Sequence, residues 1–329
     1  MTEATTAAVG PKRTFRVPPE AGIAAVLVLL LFLGSLVNPN FLTVSNMKIL
    51  LLNGSVIAFL TLGQSFVLLT GGIDLSSGSV VAMTCVLSAV LMEYLGIPWP
   101  IASLMILGIG ASVGMISGMI INFTGVPPFI VTFAMMGVAA SIPQIITGAE
   151  SIRISQLGFK FVGQARVMGI PVPVIALAVA VVMAIVFLRR TVTGTHIMAA
   201  GGNADAARLS GISIPKIKVL VYGLSGLCAG AGGLIYASRL MTGYPTAGRG
   251  DELFFSIAGA VVGGVSLFGG IGTIPGAMIG AMLIASISNF MNVMNVSAFW
   301  QPLVIGVIIL LGVAFDTMRT AGKLSFRRK

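Results

Sequence analysis

Ten apolar runs, each near the roughly 20 residues that a membrane helix needs, alternate with short polar segments along the chain. They lie near residues 21–37, 49–70, 75–92, 99–122, 128–147, 172–189, 218–238, 253–269, 274–294 and 299–316. Hydropathy of this kind predicts an all-α polytopic membrane protein with about ten transmembrane helices. Two polar segments, 148–171 and 190–217, are long enough to carry structure of their own. Residues 1–20 are polar, contain Pro18-Pro19 and predict a disordered tail; 21–317 form the transmembrane domain, and 318–329 a basic tail. No small-residue cleavage site clearly follows the first run, and many runs come after it. It therefore reads as a mature helix and not as a signal peptide.

Composition sharpens this picture. Of 329 residues, 57% are hydrophobic and 9% charged, against about 45–50% and about 25% in soluble domains. That deficit of charge weighs against a soluble globular class. The net charge of +10 raises nucleic acid as a partner, but the basic residues sit in tails and between apolar runs, where they set topology. With the N-terminus in the cytoplasm, 13 Lys and Arg fall inside and 6 outside, the latter being Lys48, Arg153, Lys160, Arg166, Arg239 and Arg249. By the positive-inside rule this predicts both termini cytoplasmic, in a multi-pass protein of the inner membrane. Cys85 and Cys228 lie within apolar runs and read as packing residues. The single histidine, His196, has no cysteine neighbour to make a metal site, and no cofactor is expected.

Some chemistry is missing. The chain has no G-x-x-x-x-G-K-[ST] phosphate loop; Gly322-Lys323 is followed by leucine. Any nucleotide-driven step therefore needs another polypeptide. No nucleophile–base pair suggests an enzyme. The predicted topology also puts no acid at mid-membrane depth. Asp74 falls at a cytoplasmic break, Asp316 at the end of the last helix, and Glu93, Asp251 and Glu252 at the outer face. Mid-membrane charges usually mark proton or ion paths, so their absence weighs against a proton-coupled transporter.

Several motifs remain. In 71–79, Gly71 and Gly72 permit a backbone break, while Asp74 and Ser76 are suited to cap the next helix. The break is either a plain helix entry or a joint that lets helices reorient. In 191–212, Gly201 and Gly202 break the chain, Asn203 caps a short helix and Gly211 ends it. Ala204, Ala206 and Ala207 keep that helix slim, Leu209 offers an apolar anchor, and Asp205 and Arg208 stand three apart. Too short to be stable alone, it must dock on its own domain or on a partner. Glycine pairs 263–264 and 269–270, with Gly276 and Gly280, form a small-residue seam. Segments 67–78 and 265–276 echo each other at an offset of 198. They reflect either a parallel duplication or two similar helix breaks. Asn53, Gln64, Asn122, Gln144, Asn289 and Asn292 lie within the apolar runs, as pathway groups or as interhelical hydrogen-bonders. Arg153, Lys160, Arg166 and Arg249 stand on a face otherwise short of positive charge. Loops 148–171 and 240–252 therefore either dock an acidic partner surface or merely cover helix ends.

Together these stretches resemble the permease subunits of monosaccharide ABC importers, of the ribose, xylose, arabinose and galactose type. The resemblance rests on Gly72-Ile73-Asp74-Leu75-Ser76, on the loop 199–212, on 239–258, and on 263–272 with Asp316. It covers about residues 21–317, with Gly259 and Ile271 as small departures. It implies a ten-helix permease paired with a second copy or paralogue in the membrane lipid. Two ABC ATPase subunits, or one fused tandem ATPase, sit below it and an extracytoplasmic sugar-binding protein docks above; no nucleic acid is involved. The loop 190–217 would hold the ATPase-coupling helix, and transport would proceed by alternating access. The alternatives are an ABC permease for another small solute, such as a branched amino acid or nucleoside, and an ATP-independent sugar transporter.

Overall fold

Helix starts and stops follow local chemistry. Proline stands in the first turn of five long helices, where its missing N–H costs nothing. Thr43, Thr191 and Thr273 cap helices with their hydroxyls, and Gly125 and Gly148 end two others in the left-handed conformation. The computed structural model describes residues 20–248 and 251–320. Its helices are α1 (Ala21–Val37), α2 (Val44–Leu69), α3 (Ser77–Ala89, extended by a π-helical turn Val90–Tyr94), α4 (Trp99–Thr124), α5 (Pro128–Thr147), α6 (Lys160–Gly163), α7 (Val172–Arg190), α8 (Val192–Gly202), α9 (Ala204–Leu209), α10 (Ile214–Leu240), α11 (Glu252–Val262), α12 (Ile274–Val293) and α13 (Trp300–Thr320). Among the described residues, eight helices are long and apolar enough to cross a membrane, while α1 and α11 are shorter. This is an all-α polytopic membrane protein. Its strands, each of two residues, make two small antiparallel pairs: β1 (Ile152–Arg153) with β4 (Thr242–Gly243), and β2 (Arg166–Val167) with β3 (Ile170–Pro171).

The core is built on α2, which is buried on every side from Gly54 to Leu69, and on α10, which packs against α4, α2 and α3. Glycines set the closest approach. A Cβ on Gly118 of α4 would lie 2.7 Å from the Val219 Cα, and one on Gly110 3.1 Å from the Gly230 Cα. Small residues permit such backbone contact, which drives helix association in lipid.

Contacts at the helix ends define two faces. On one, Thr273 donates to Glu20 (2.7 Å) and Ser266 donates to Asp316 (2.9 Å), near α8 and α9. On the other, Ser155 donates to Glu93 (2.8 Å) and β1 pairs with β4. Glu20 and the end of α13 share the face of α8 and α9.

The run at 253–269 departs from expectation, because it is not a continuous span. Helix α11 covers 11 residues, about 16 Å, roughly half the ~30 Å hydrocarbon core. Its end is dictated by glycine: Gly264, Gly269, Gly270 and Gly272 have φ of +89°, +88°, +70° and +149°, values that interrupt a helix and favour residues without Cβ. The chain that precedes α11 is an irregular, turn-containing segment packed on α3. Gly243 packs beside Ala89 and Val86, and Gly248 beside Val81 and Gly78. Between them the chain runs along α3 and makes a turn at 244–247, where the Ala247 N–H donates to the Tyr244 carbonyl at 3.1 Å.

Candidate functional site

The interrupted crossing opens a cavity. Helix α11 starts about halfway along α2, and its first turn meets side chains from four other helices. The cavity has a volume of about 380 Å³ and is lined by Asn53, Ile57, Tyr236, Arg239, Asp251, Glu252, Phe255, Ser288 and Gln301. Helical register explains the grouping. Asn53 and Ile57 are four apart on α2, and Tyr236 and Arg239 three apart at the end of α10, so each pair shares a face. This corrects the expectation that Asp251 and Glu252 lie at the outer surface with no acid at depth. The turn-containing segment 243–248, packed along α3, brings them to the level of Asn53 and Ile57 of α2.

The polar groups pair sparingly. Tyr236 donates a short hydrogen bond to Glu252 Oε1. Arg239 donates to Asn53 Oδ1 at 2.8 Å. Ser288 donates to Gln301 (2.7 Å), which in turn donates to Asn292 (2.8 Å). Glu252 Oε2 is buried with no hydrogen-bond partner. The carboxylates stand at the N-terminus of α11, where the orphan N–H groups and helix dipole favour negative charge. A half-helix that starts at depth is tolerated where it lines a cavity, and such discontinuous helices build substrate sites in transporters. Two carboxylates, a guanidinium, a phenol, amides and a hydroxyl offer donors and acceptors to a hydroxyl-rich solute.

Of the polar residues singled out by sequence, Asn53 lines this cavity and Asn292 joins its hydrogen-bond chain. Asn289 pairs reciprocally with Asn46 at 2.8 and 3.1 Å, tying α12 to α2. Gln64 is fully buried beside the Asp74 backbone, and with its amide turned so that both ends are satisfied it donates to the carbonyl (3.1 Å) and accepts from the N–H (3.3 Å). Asn122 donates to the Pro215 carbonyl (2.9 Å) at the opposite face, and Gln144 is half-buried on α5 outside the cavity. Sequence reasoning missed Tyr236, Arg239, Glu252, Ser288 and Gln301. The available signal was the polar pair at three-residue spacing in the last turn of an apolar run.

At the opposite face three Gly-Gly pairs converge. The Gly270 N–H donates to the Leu69 carbonyl at 2.9 Å. A Cβ on Gly201 would lie 2.6 Å from the Gly270 nitrogen, and one on Gly269 2.8 Å from both the Gly201 oxygen and the Gly71 nitrogen. The two echoing segments thus touch each other, and α8 closes the joint between them. Gly71, like Gly269 and Gly270, has positive φ (+72°). Gly201 and Gly202 do not break the chain as expected. They are the last residues of α8, and the turn comes at Asn203 (φ −159°). Asn203 does cap α9, accepting from the Ala206 N–H at 2.9 Å, and Gly211 follows at φ +84°. On α9, Ala207 is buried, while Ala204, Asp205, Ala206 and Arg208 are exposed and Leu209 is 90% exposed.

The expected caps on α3 also need correction. Asp74 Oδ1 accepts from the Ser76 N–H (2.9 Å) and the Ser76 hydroxyl (2.6 Å), and Oδ2 from the Ser225 hydroxyl (2.6 Å). Ser76 makes no side-chain cap. The carboxylate instead ties the α2–α3 break to α10. Asp316 braces the α11–α12 break in the same manner, accepting from Ser266 and from the Leu267 N–H (3.3 Å). On the other face, Arg153, Lys160 and Arg166 are exposed on a loop anchored by buried Phe159. Strand β1 joins that loop to the segment after α10. Arg249 lies outside the described residues.

Comparison with known proteins accords with this architecture. A family model described as branched-chain amino acid transport system / permease component matches residues 46–313. The ribose import permease protein RbsC of Escherichia coli K12 is 36% identical over 306 residues, covering 91% of this chain and 94% of the relative. RbsC of Bacillus subtilis is 38% identical over 309 residues, covering 90% and 92%. The L-arabinose ABC transporter permease protein AraH of Azospirillum brasilense is 35% identical over 322 residues, covering 95% and 93%. No solved structure matches. The chain therefore belongs to the branched-chain amino acid transport system / permease component family of ABC permeases, with the ribose and arabinose import permeases among its relatives.

Proposed function

We propose that this permease carries a monosaccharide inward across the cytoplasmic membrane by ATP-driven alternating access. The observation that carries the reading is the polar cavity at the start of α11. It offers a set of donors and acceptors suited to sugar hydroxyls, and its volume falls within the range of about 300–1,000 Å³ usual for small-molecule sites. The names of the relatives, ribose and arabinose permeases, support the same substrate class. Residues 190–217 form the coupling loop, with α9 seated in an ATPase subunit on the cytoplasmic face. The loop bearing Arg153, Lys160 and Arg166 receives a sugar-binding protein on the outer face, and a second permease copy or paralogue completes the pathway. The tails 1–20 and 318–329 lie in the cytoplasm.

Alternating access requires that ATP bind the two states of the ATPase pair differently. The glycine joint supports such a motion, because α8 touches both helix breaks through backbone. The test is uptake of labelled ribose and arabinose into vesicles holding the permease with its ATPase and binding protein. Uptake that needs ATP is expected, with a large loss of rate in Glu252→Gln while the binding protein still docks. Sugar uptake without ATP would overturn the mechanism, and uptake of leucine with no sugar uptake would overturn the substrate class.

A further inference from the structure

A second, apolar cavity of about 330 Å³ lies away from the polar one. Its floor is Leu62 and Phe66 of α2, and its walls come from α7 and α10, which stand apart there. The wall residues follow helical spacing: 180, 183, 184 and 187 on α7, and 220, 224, 227 and 228 on α10. Extending the same stripes toward the face of α8 and α9 places Arg190 three residues beyond Phe187, and Lys216 four residues before Leu220. Both are exposed. The groove is apolar, and helical spacing puts one cation on each wall beyond its end, where α8 packs on both helices.

Helix α7 is little buried, with 11% of its apolar window inside the protein, so the groove opens toward lipid. A helix about 10 Å across is too wide for a slot of this volume, whereas an acyl chain is thin and flexible. Paired basic side chains at the membrane surface attract anionic headgroups. We propose that the groove between α7 and α10 binds an anionic phospholipid, with one acyl chain against Phe66 and the phosphate between Arg190 and Lys216. The bound chain would wedge α7 against α2 beside the core of the permease. This inference stands apart from the identity of the transported solute.

Native mass spectrometry of the full chain, exchanged into mixtures of dioleoylphosphatidylglycerol and dioleoylphosphatidylcholine, tests it without any variant. Two cations at about 1 kcal/mol each give about a thirtyfold preference for phosphatidylglycerol. That preference should fall severalfold for each of Arg190→Gln and Lys216→Gln. Ala184→Phe, which fills the groove and leaves both charges in place, should reduce retention of the lipid. Equal retention of the two lipids by the wild-type chain would overturn the proposal. So would an unchanged preference in both charge variants, or a cross-link from Met183→Cys to a second copy that shows a protein helix filling the groove.

Discussion

Gly201 and Gly202 are adjacent glycines with opposite requirements. A Cβ at Gly201 would drive into the backbone of Leu69 and Gly270, whereas at Gly202 nothing lies within 4 Å. Gly201→Ala should therefore destabilise the purified protein by about 1–3 kcal/mol, the usual cost of overpacking. Gly202→Ala should be neutral or slightly stabilising in the last turn of a helix. Thermal unfolding of both variants separates them, and equal melting temperatures would count against the joint. Asp74 makes a second case. Asp74→Ala strands the Ser76 and Ser225 hydroxyls in a buried site, at about 1–3 kcal/mol for each unsatisfied group. Asp74→Asn keeps one acceptor oxygen and should lose less, read by the same measurement. The three glycine pairs and Asp74 stood out in the sequence. Their meeting did not, because Gly71 and Gly201 are 130 residues apart, Gly201 and Gly269 are 68 apart, and no local pattern encodes that contact. The capping role given to Ser76 failed for a related reason: Asp74, two residues away, competes for its hydroxyl.

Among the elements, α9 is legible and α11 is not. Asn203, the alanines and Gly211 spell a short capped helix whatever surrounds it. Its apolar positions divide by exposure: Ala207 is buried, Ala204 and Ala206 are exposed, and Leu209 is 90% exposed. Leu209→Asp should therefore leave stability within about 0.5 kcal/mol yet abolish co-purification of the ATPase subunit. Ala207→Leu should lower the melting temperature instead. Wild-type ATPase retention in Leu209→Asp would remove α9 as the docking element. Helix α11 was read as a full span because a hydropathy sum scores glycine, valine and leucine together. Such a sum is blind to the positive φ at Gly264, just past the last turn, that stops the helix. The segment 243–248 left no apolar signature either, since a turn whose glycines pack against Val81, Val86 and Ala89 of α3 needs small residues more than greasy ones. The cavity was hidden with it, and Asn53 alone of its lining residues was singled out in advance.

For the whole molecule, hydropathy and charge together describe the all-α membrane fold well, because lipid forces backbone bonds to be satisfied within helices. With Glu20 and the end of α13 on the face of α8 and α9, reporter fusions after residue 160 should read external, and fusions after 205 and 325 internal. An external reading at 325 would break the alternation. The half-length of α11 bears finally on how the chain enters the bilayer during synthesis. A helix of 11 residues that starts with acidic Glu252 has too little apolar length to be retained by lipid alone. Residues 242–273 are therefore expected not to leave the insertion machinery as a separate span. They should wait for α12, whose Ala277 and Ala281 pack on Gly263 and Gly259, so that α10, α11 and α12 partition into the membrane together.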